Sequence, residues 1–147
     1  MADYVSVTTT RQNKYQFMVD FGPEIAGLIA DEPVPIGAGT GPSPTHLLAA
    51  AVANCLSASL VFALGKFNED PGPLVATAVC SVERNEKNRL RVQNIAITIT
   101  LGAAVKSLLH LERALIQFEE FCTVSQSVRN GIPFTVSVKG ADGRFLK

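Results

Sequence analysis

The feature that most constrains this chain is the run Pro44–Gly65, PTHLLAAAVANCLSASLVFALG, which contains no Asp, Glu, Lys or Arg. Its polar side chains are Thr45, His46, Asn54, Ser57 and Ser59, and Cys55 lies near the middle. Ala and Leu dominate, and both favour helix because they lose little side-chain freedom there. Ser43 can cap the first turn. Pro44 suits the first helical position, where its missing N–H would have no partner anyway. A helix apolar on every side has to be buried, in a core, a subunit interface or a membrane. Cys55 is thereby placed at the centre of whatever the protein packs. A membrane span needs about 20 predominantly apolar residues. This run just reaches that length, carries Asn54 and several serines, and stands alone between polar segments. A buried helix is preferred, and no membrane partner is expected.

The chain has 147 residues, enough for one domain, 1–147, with a real core. Thirteen Lys and Arg balance thirteen Asp and Glu, so electrostatics give no case for nucleic acid or an anionic membrane. The stretch MADYVSVTTT lacks a basic-then-apolar leader pattern, and a cytoplasmic protein is expected. Cys55, Cys80 and Cys122 are odd in number and far apart, unlike a secreted disulfide framework. With two His and no close Cys pair, zinc-ligand spacing is absent and no metal is expected. In a reducing cytosol such cysteines are more often core residues than redox-active ones.

Asp3–Thr9 and Lys14–Phe21 read as a hairpin around a polar turn at Arg11–Asn13. Tyr15, Phe17, Val19 and Phe21 fall on one face of the second strand. Gly22–Asp31 shows no clear pattern, and the Pro- and Gly-rich stretch Glu32–Pro44 is a loop. Gly37, Gly39 and Gly41 ahead of a helix invite a phosphate-binding reading. No Gly-Lys-Ser/Thr follows, however, and Pro42 and Pro44 remove backbone donors. A loop that fixes the start of the helix is preferred. Lys66–Pro73 is polar and ends in Pro-Gly-Pro, a stop.

Leu74–Glu83 and Leu90–Leu101 form a second hairpin around Arg84–Asn88, with Cys80 as a small buried residue. Ala103–Phe121 is amphipathic at helical spacing, with Leu108, Leu111, Leu115, Phe118 and Cys122 on one stripe. Cys122 either ends this helix or opens a short one, Thr123–Arg129, stopped by Asn130–Gly131. Ile132–Lys139 reads as a last strand and Gly140–Lys147 as a polar tail. The order ββ–loop–α–ββ–α–β predicts an α+β fold with a mainly antiparallel sheet. One uncharged helix is more than a monomer of this size readily hides, so a homodimer is expected.

The segments GPSPTHLLAAAVANCL (Gly41–Leu56) and FCTVSQSVRNGI (Phe121–Ile132) resemble the OsmC/Ohr family, the osmotically inducible and organic hydroperoxide resistance proteins. The shared elements are a Pro-led helix with a central Cys, and a second Cys followed by Ser125, Arg129 and Gly131 before the last strand. The resemblance implies an OsmC-like fold, an intertwined homodimer with two active sites at the subunit interface, and thiol peroxidase chemistry without a cofactor. Cys55 matches the peroxidatic cysteine and Cys122 the resolving one. The Cys55 thiolate would attack the distal peroxide oxygen, becoming a sulfenic acid and releasing an alcohol. Cys122 would condense with it to a disulfide, which a cellular dithiol reductant reopens. Members of the family prefer organic hydroperoxides.

A free thiol has a pKa near 8.5, so only a few per cent is thiolate at pH 7. Burial raises that pKa further, and a mid-helix position gains little from the helix dipole. Cys55 therefore needs a cation. The resemblance implies an Arg from the N-terminal strands, held by a Glu at the start of the cysteine helix. Here Thr45 stands at the Glu position and cannot pair with a guanidinium as a carboxylate does. The Arg position falls in the turn Arg11–Lys14, on Arg11 or on Lys14. Arg129 is a further candidate, or simply a charge at a helix C-terminus. His46 is either a switchable cation or donor near the site, or a surface residue. Thr45 and His46 are thus the candidate binding residues beside Cys55, Cys122 and Arg11. Two functions compete: an organic hydroperoxide peroxidase, and a non-enzymatic dimer that binds an apolar small molecule in its interface pocket. A purely structural dimer is a third.

Overall fold

The computed structural model describes residues 1–132, 135–139 and 141–147. The uncharged run forms a single helix, α1 (Pro44–Gly65), with the bounds its composition predicts. Ser43 Oγ accepts the His46 N–H at 3.4 Å, and His46 Nδ1 accepts the Ser43 N–H at 3.2 Å. This is a capping box with His in the place usually taken by Glu or Gln. One face of α1 buries Val52, Ala53, Leu56, Leu60, Ala63 and Leu64. The other face, Ala50, Ala51, Asn54, Ala58, Val61 and Phe62, is exposed. The helix is long and apolar enough to cross a membrane, yet it packs as a core helix against two strands and the C-terminal helices.

Those strands are β4 (Val75–Arg84) and β5 (Leu90–Thr100), an antiparallel pair in which Cys80 lies opposite Ile95. Ile95, Ile97 and Ile99 turn inward onto the core, whereas Val75 and Val79 stay exposed on the other face. A second sheet has the order β1 (Thr8–Asn13), β2 (Gln16–Asp20), β3 (Leu28–Ala30), all antiparallel. The first hairpin therefore turns later than the sequence suggests, at Lys14–Tyr15 rather than Arg11–Asn13. Lys14 takes the left-handed backbone conformation (φ 44°), and its carbonyl accepts from Arg11 Nε at 2.8 Å. Pairing Thr9 with Val19 and Arg11 with Phe17 leaves Tyr4 and Val5 outside the sheet. β3 escaped the sequence pattern because three residues are too few to show an alternation.

The long helix expected over Ala103–Phe121 is broken. The chain instead forms a 3₁₀ turn at Val105–Ser107, α2 (Leu111–Gln117) and a second 3₁₀ turn at Phe118–Phe121. The start of α2 is set from outside. Both carboxylate oxygens of Glu69 accept the His110 N–H at 3.1 Å, and one meets His110 Nδ1 at 2.8 Å. The His110 ring stacks on Phe67 with centroids 4.4 Å apart. Of the two alternatives for Cys122, the second holds. Its backbone is extended, and its sulfur caps α3 (Thr123–Arg129) by accepting the Ser125 N–H at 3.4 Å. Gly131 (φ 67°) closes that helix.

The predicted strand Ile132–Lys139 includes Pro133 and Phe134, which lie outside the described residues. In the rest of it, only Lys139 makes an isolated bridge, to Phe145. A strand needs a neighbour, and among the described residues none of the five strands pairs with it. Val136 and Val138 are left exposed.

The glycine-rich loop wraps around a carboxylate of its own. Asp31 is 2 % exposed. It accepts from Thr40 Oγ1 and the Glu32 N–H at 2.8 Å, and from the Ala38 and Thr40 N–H groups at 3.2 Å. A Cβ on Gly37 would run into the Glu32 carbonyl oxygen, and one on Gly41 into that of Ile29. The glycines thus admit close backbone approach around an internal anion, and the Asp31 N–H to Pro42 carbonyl bond (3.1 Å) ties the loop down ahead of α1. The hydrogen bond from the Thr40 side chain, with three backbone N–H groups, outweighs burial and holds the Asp31 carboxyl below its ordinary value of 3.8. A depressed folded-state pKa stabilises the fold fully above the unfolded value, and that contribution disappears as pH falls through the folded one. Asp31→Asn is expected to lower Tm at pH 7, with the gap to wild type narrowing below about pH 4. A gap that is constant between pH 7 and pH 3 would contradict this role.

Candidate functional site

Cys55 lies on the boundary between the two faces of α1. Its helical neighbours Val52 and Ser59 are buried, while Ala51, Ala58 and Phe62 are exposed. Cys122, brought in by the turn before α3, is fully buried against Val52 and Leu56, with Cys55 packed beside it. The structure therefore joins the two cysteines that the sequence singles out, and both are free thiols. Cys80 stays in β4, half-buried, as expected of a packing residue.

The two thiols act on one another. Burial pushes the Cys55 thiol up, its neighbour Cys122 adds to the rise, and the Val124 and Ser125 N–H groups only partly oppose it. Burial pushes the Cys122 thiol up as well. There, however, the Cys55 thiol, the side chain and N–H of Ser125, and the Ser59 hydroxyl together outweigh burial and bring it below its ordinary value. Two neighbouring thiols share one negative charge: the first proton leaves more easily than from a free thiol, and the second less easily. Hydrogen-bond donors thus favour negative charge at Cys122, while burial opposes it at Cys55.

A cavity of about 610 Å³ opens between α1, β5 and α3; neither cysteine lines it, but Val52, Leu56 and Ser125, which pack on or cap with Cys122, do. Leu48, Val52, Leu56, Ile95, Ile97 and Phe118 make it mostly apolar, and Ser125, Glu119 and Arg129 supply polar groups. Arg129 Nη2 meets Glu119 Oε2 at 2.6 Å in an exposed ion pair. Of the cations named from sequence, Arg129 lines the cavity. Arg11 lies exposed in β1 and Lys14 in the β1–β2 turn, on a sheet whose strands do not pack on α1 around Cys55. Thr45 and His46 occupy the first turn of α1, about 15 Å along the axis from Cys55 at 1.5 Å per residue. The His46 ring is committed to Ser43, 2.8 Å from its hydroxyl. Within one chain, then, Arg11, Thr45 and His46 do not meet the thiols. The sequence reading missed Ser125 and Glu119 as lining groups. The available signal was the spacing of Ser125 and Arg129, four residues apart on one short helix.

With Cys80→Ser removing the third thiol, the pair is expected to titrate by thiolate absorbance in two separate steps, one below and one above the range of a free thiol. In Cys122→Ser a single step should remain. A single step with both thiols present would show that the sulfurs do not interact.

The sequence profile of the OsmC-like protein family matches residues 37–137, more than half of the chain. No curated protein matches the chain by sequence. Among solved structures, the chain resembles an OsmC-like protein from Mycoplasma pneumoniae, with a TM-score of 0.71 at 12 % identity over 90 % of this chain and 91 % of that one. It also resembles the organic hydroperoxide resistance protein OhrB of Bacillus subtilis, with a TM-score of 0.65 at 19 % identity over 88 % and 93 %. A third is an organic hydroperoxide resistance protein from Elizabethkingia anophelis, with a TM-score of 0.67 at 15 % identity over 89 % and 93 %. These identities speak for the fold, and the profile match speaks for membership: the chain belongs to the OsmC/Ohr family of OsmC-like proteins.

Proposed function

We propose that this protein is a thiol-dependent peroxidase that reduces organic hydroperoxides through Cys55 and Cys122. The observation that carries the reading is the contact of one half-buried and one fully buried free thiol beside an apolar cavity. An organic hydroperoxide is an apolar body with one polar end, and it suits a cavity with Ile and Leu walls. Relatives in fold named for organic hydroperoxide resistance support the same reading.

The chemistry follows from the pair. Cys122 is closed to solvent, so Cys55 is the sulfur that meets the substrate. As the shared proton passes to Cys122, the Cys55 thiolate attacks the distal oxygen. The S–O bond forms while the O–O bond breaks, giving a Cys55 sulfenic acid and an alcohol. The Cys122 sulfur then displaces hydroxide from the sulfenic acid, which leaves as water, and a disulfide closes. A dithiol reductant of the cytoplasm restores both thiols by exchange. With Thr45 in the place of the family's Glu, hydrogen bonds from the α3 turn stabilise the thiolate in this chain.

The reading also takes residues 1–147 as one domain that works as a homodimer. The exposed face of α1 carries no charge from Ala50 to Gly65, and the Val136 and Val138 side chains are also exposed. A second copy would cover such surface, and its Arg11 could reach a site that this chain's Arg11 does not. A second reading, a binder of an apolar ligand without turnover, draws on the same cavity and on the absence of a cation paired to Cys55 among the described residues.

Cys55→Ser is expected to abolish consumption of tert-butyl hydroperoxide. Cys122→Ser should leave one turnover and a trappable sulfenic acid; Ser caps a helix well, so α3 should survive the change. Turnover undiminished in Cys55→Ser would overturn the reading that Cys55 carries the chemistry; no peroxide consumption by the wild type would favour ligand binding. Sedimentation should give twice the chain mass of 15.7 kDa; a particle at that mass would contradict the dimer.

A further inference from the structure

One buried polar atom beside the thiol pair favours the Cys122 thiolate but makes no formed hydrogen bond in the resting protein. Ser125 is 4 % exposed, and its hydroxyl has no hydrogen-bond partner among the described residues. Burying a hydroxyl unpaired is unfavourable, and native cores rarely contain one. Helix capping does not use it. Ser125 holds the third position of α3, from which a side chain can reach back to the backbone N–H of the capping residue. That N–H, on Cys122, is already given to the Glu119 carbonyl at 3.0 Å. The Ser125 N–H itself goes to Cys122 Sγ. The hydroxyl lies near enough to that sulfur to favour its thiolate, but without the geometry of a formed bond. Ser125 also lines the apolar cavity, facing Val52 and Leu56 of α1.

We infer that the Ser125 hydroxyl is a catalytic hydrogen-bond donor to the oxygen that leaves when a hydroperoxide is cleaved at the thiol pair. This rests on the peroxidase reading. As sulfur is oxidised and the peroxide reduced, the electron pair of the O–O bond passes to the proximal oxygen. That oxygen becomes an alkoxide inside an apolar cavity, where an unmatched charge is least tolerable. The Ser125 O–H meets it, and the alkoxide takes a proton from solvent through this hydroxyl and leaves as the alcohol. A donor aimed at charge that exists only in the transition state has no partner in the resting protein. The unpaired hydroxyl and its place beside both thiols are thereby explained together.

The test uses the full-length reduced protein, wild type and Ser125→Ala, with two probes for Cys55: tert-butyl hydroperoxide, and iodoacetamide read by mass spectrometry. Iodoacetamide needs the thiolate and access to it but has no oxygen leaving group. Ser125→Ala is expected to slow peroxide cleavage about 10- to 100-fold, and alkylation by a much smaller factor that reports only the lost stabilisation of the thiolate. Its Tm should be unchanged or raised by about 2–4 °C, because no hydrogen bond is lost. Ser125→Thr, which keeps the hydroxyl, should recover part of the peroxide rate. Peroxide and iodoacetamide rates that fall by the same factor, or a lowered Tm, would make Ser125 a structural or thiolate-positioning residue and overturn the inference. An unchanged peroxide rate in Ser125→Ala would overturn it while leaving the peroxidase reading intact. A wild-type protein inert to hydroperoxide would remove that reading, and this inference with it.

Discussion

Burying a thiol in an apolar helix opposes the ionisation that thiol chemistry requires, and the site is organised around that conflict. Cys55 alone would be inert. Its burial in α1 moves its pKa away from neutrality, and a mid-helix position offers no dipole to compensate. The molecule answers by bringing a second thiol to the first. Cys122 sits at the start of α3, where the Ser125 N–H and two serine hydroxyls favour negative charge. The closed thiol, where donors favour negative charge, thereby lies beside the accessible one. The break between the second 3₁₀ turn and α3 follows from the same demand: only an extended residue at position 122 can both cap a helix and face Cys55.

The uncharged helix imposes the second layer of organisation. One face of α1 forms two core clusters, one with Leu108 and Ala114, the other with Cys122. The opposite face finds no cover among the described residues. Exposed Val61 and Phe62, the outer Val75 and Val79 of β4, and exposed Val136 and Val138 are the surface that the proposed second copy would cover. At its N-terminus the same helix depends on a loop folded about Asp31, whose carboxylate fills the amide-lined space that glycine-rich loops elsewhere offer to phosphate.

The sequence made α1 legible to the residue, because composition, cap and proline all point the same way there. The second hairpin was equally clear, since Ile95, Ile97 and Ile99 alternate over a long strand. Less was visible where a long-range contact sets the local structure. Glu69 fixes the start of α2 from a distant loop, so the single helix expected over Ala103–Phe121 became three short pieces. The strand expected over Ile132–Lys139 has the right alternation, but alternation cannot supply a neighbour. In the site, the cysteine pair came from motif context, and their contact is a tertiary fact that no spacing encodes. Arg11, Thr45 and His46 were placed by analogy with a carboxylate this chain lacks. Ser125, present in the same motif, could be singled out only once its hydroxyl was seen buried and unpartnered.

The proposed chemistry requires the half-buried and the buried thiol to react as a pair. The most direct measurement counts thiols on the native protein before and after a stoichiometric pulse of an organic hydroperoxide, with peptide mapping of the product. The loss of two thiols, a Cys55–Cys122 cross-linked peptide and a free Cys80 are the predicted result. Three thiols intact after the pulse would contradict it, and would leave an OsmC-like fold whose cavity serves binding alone.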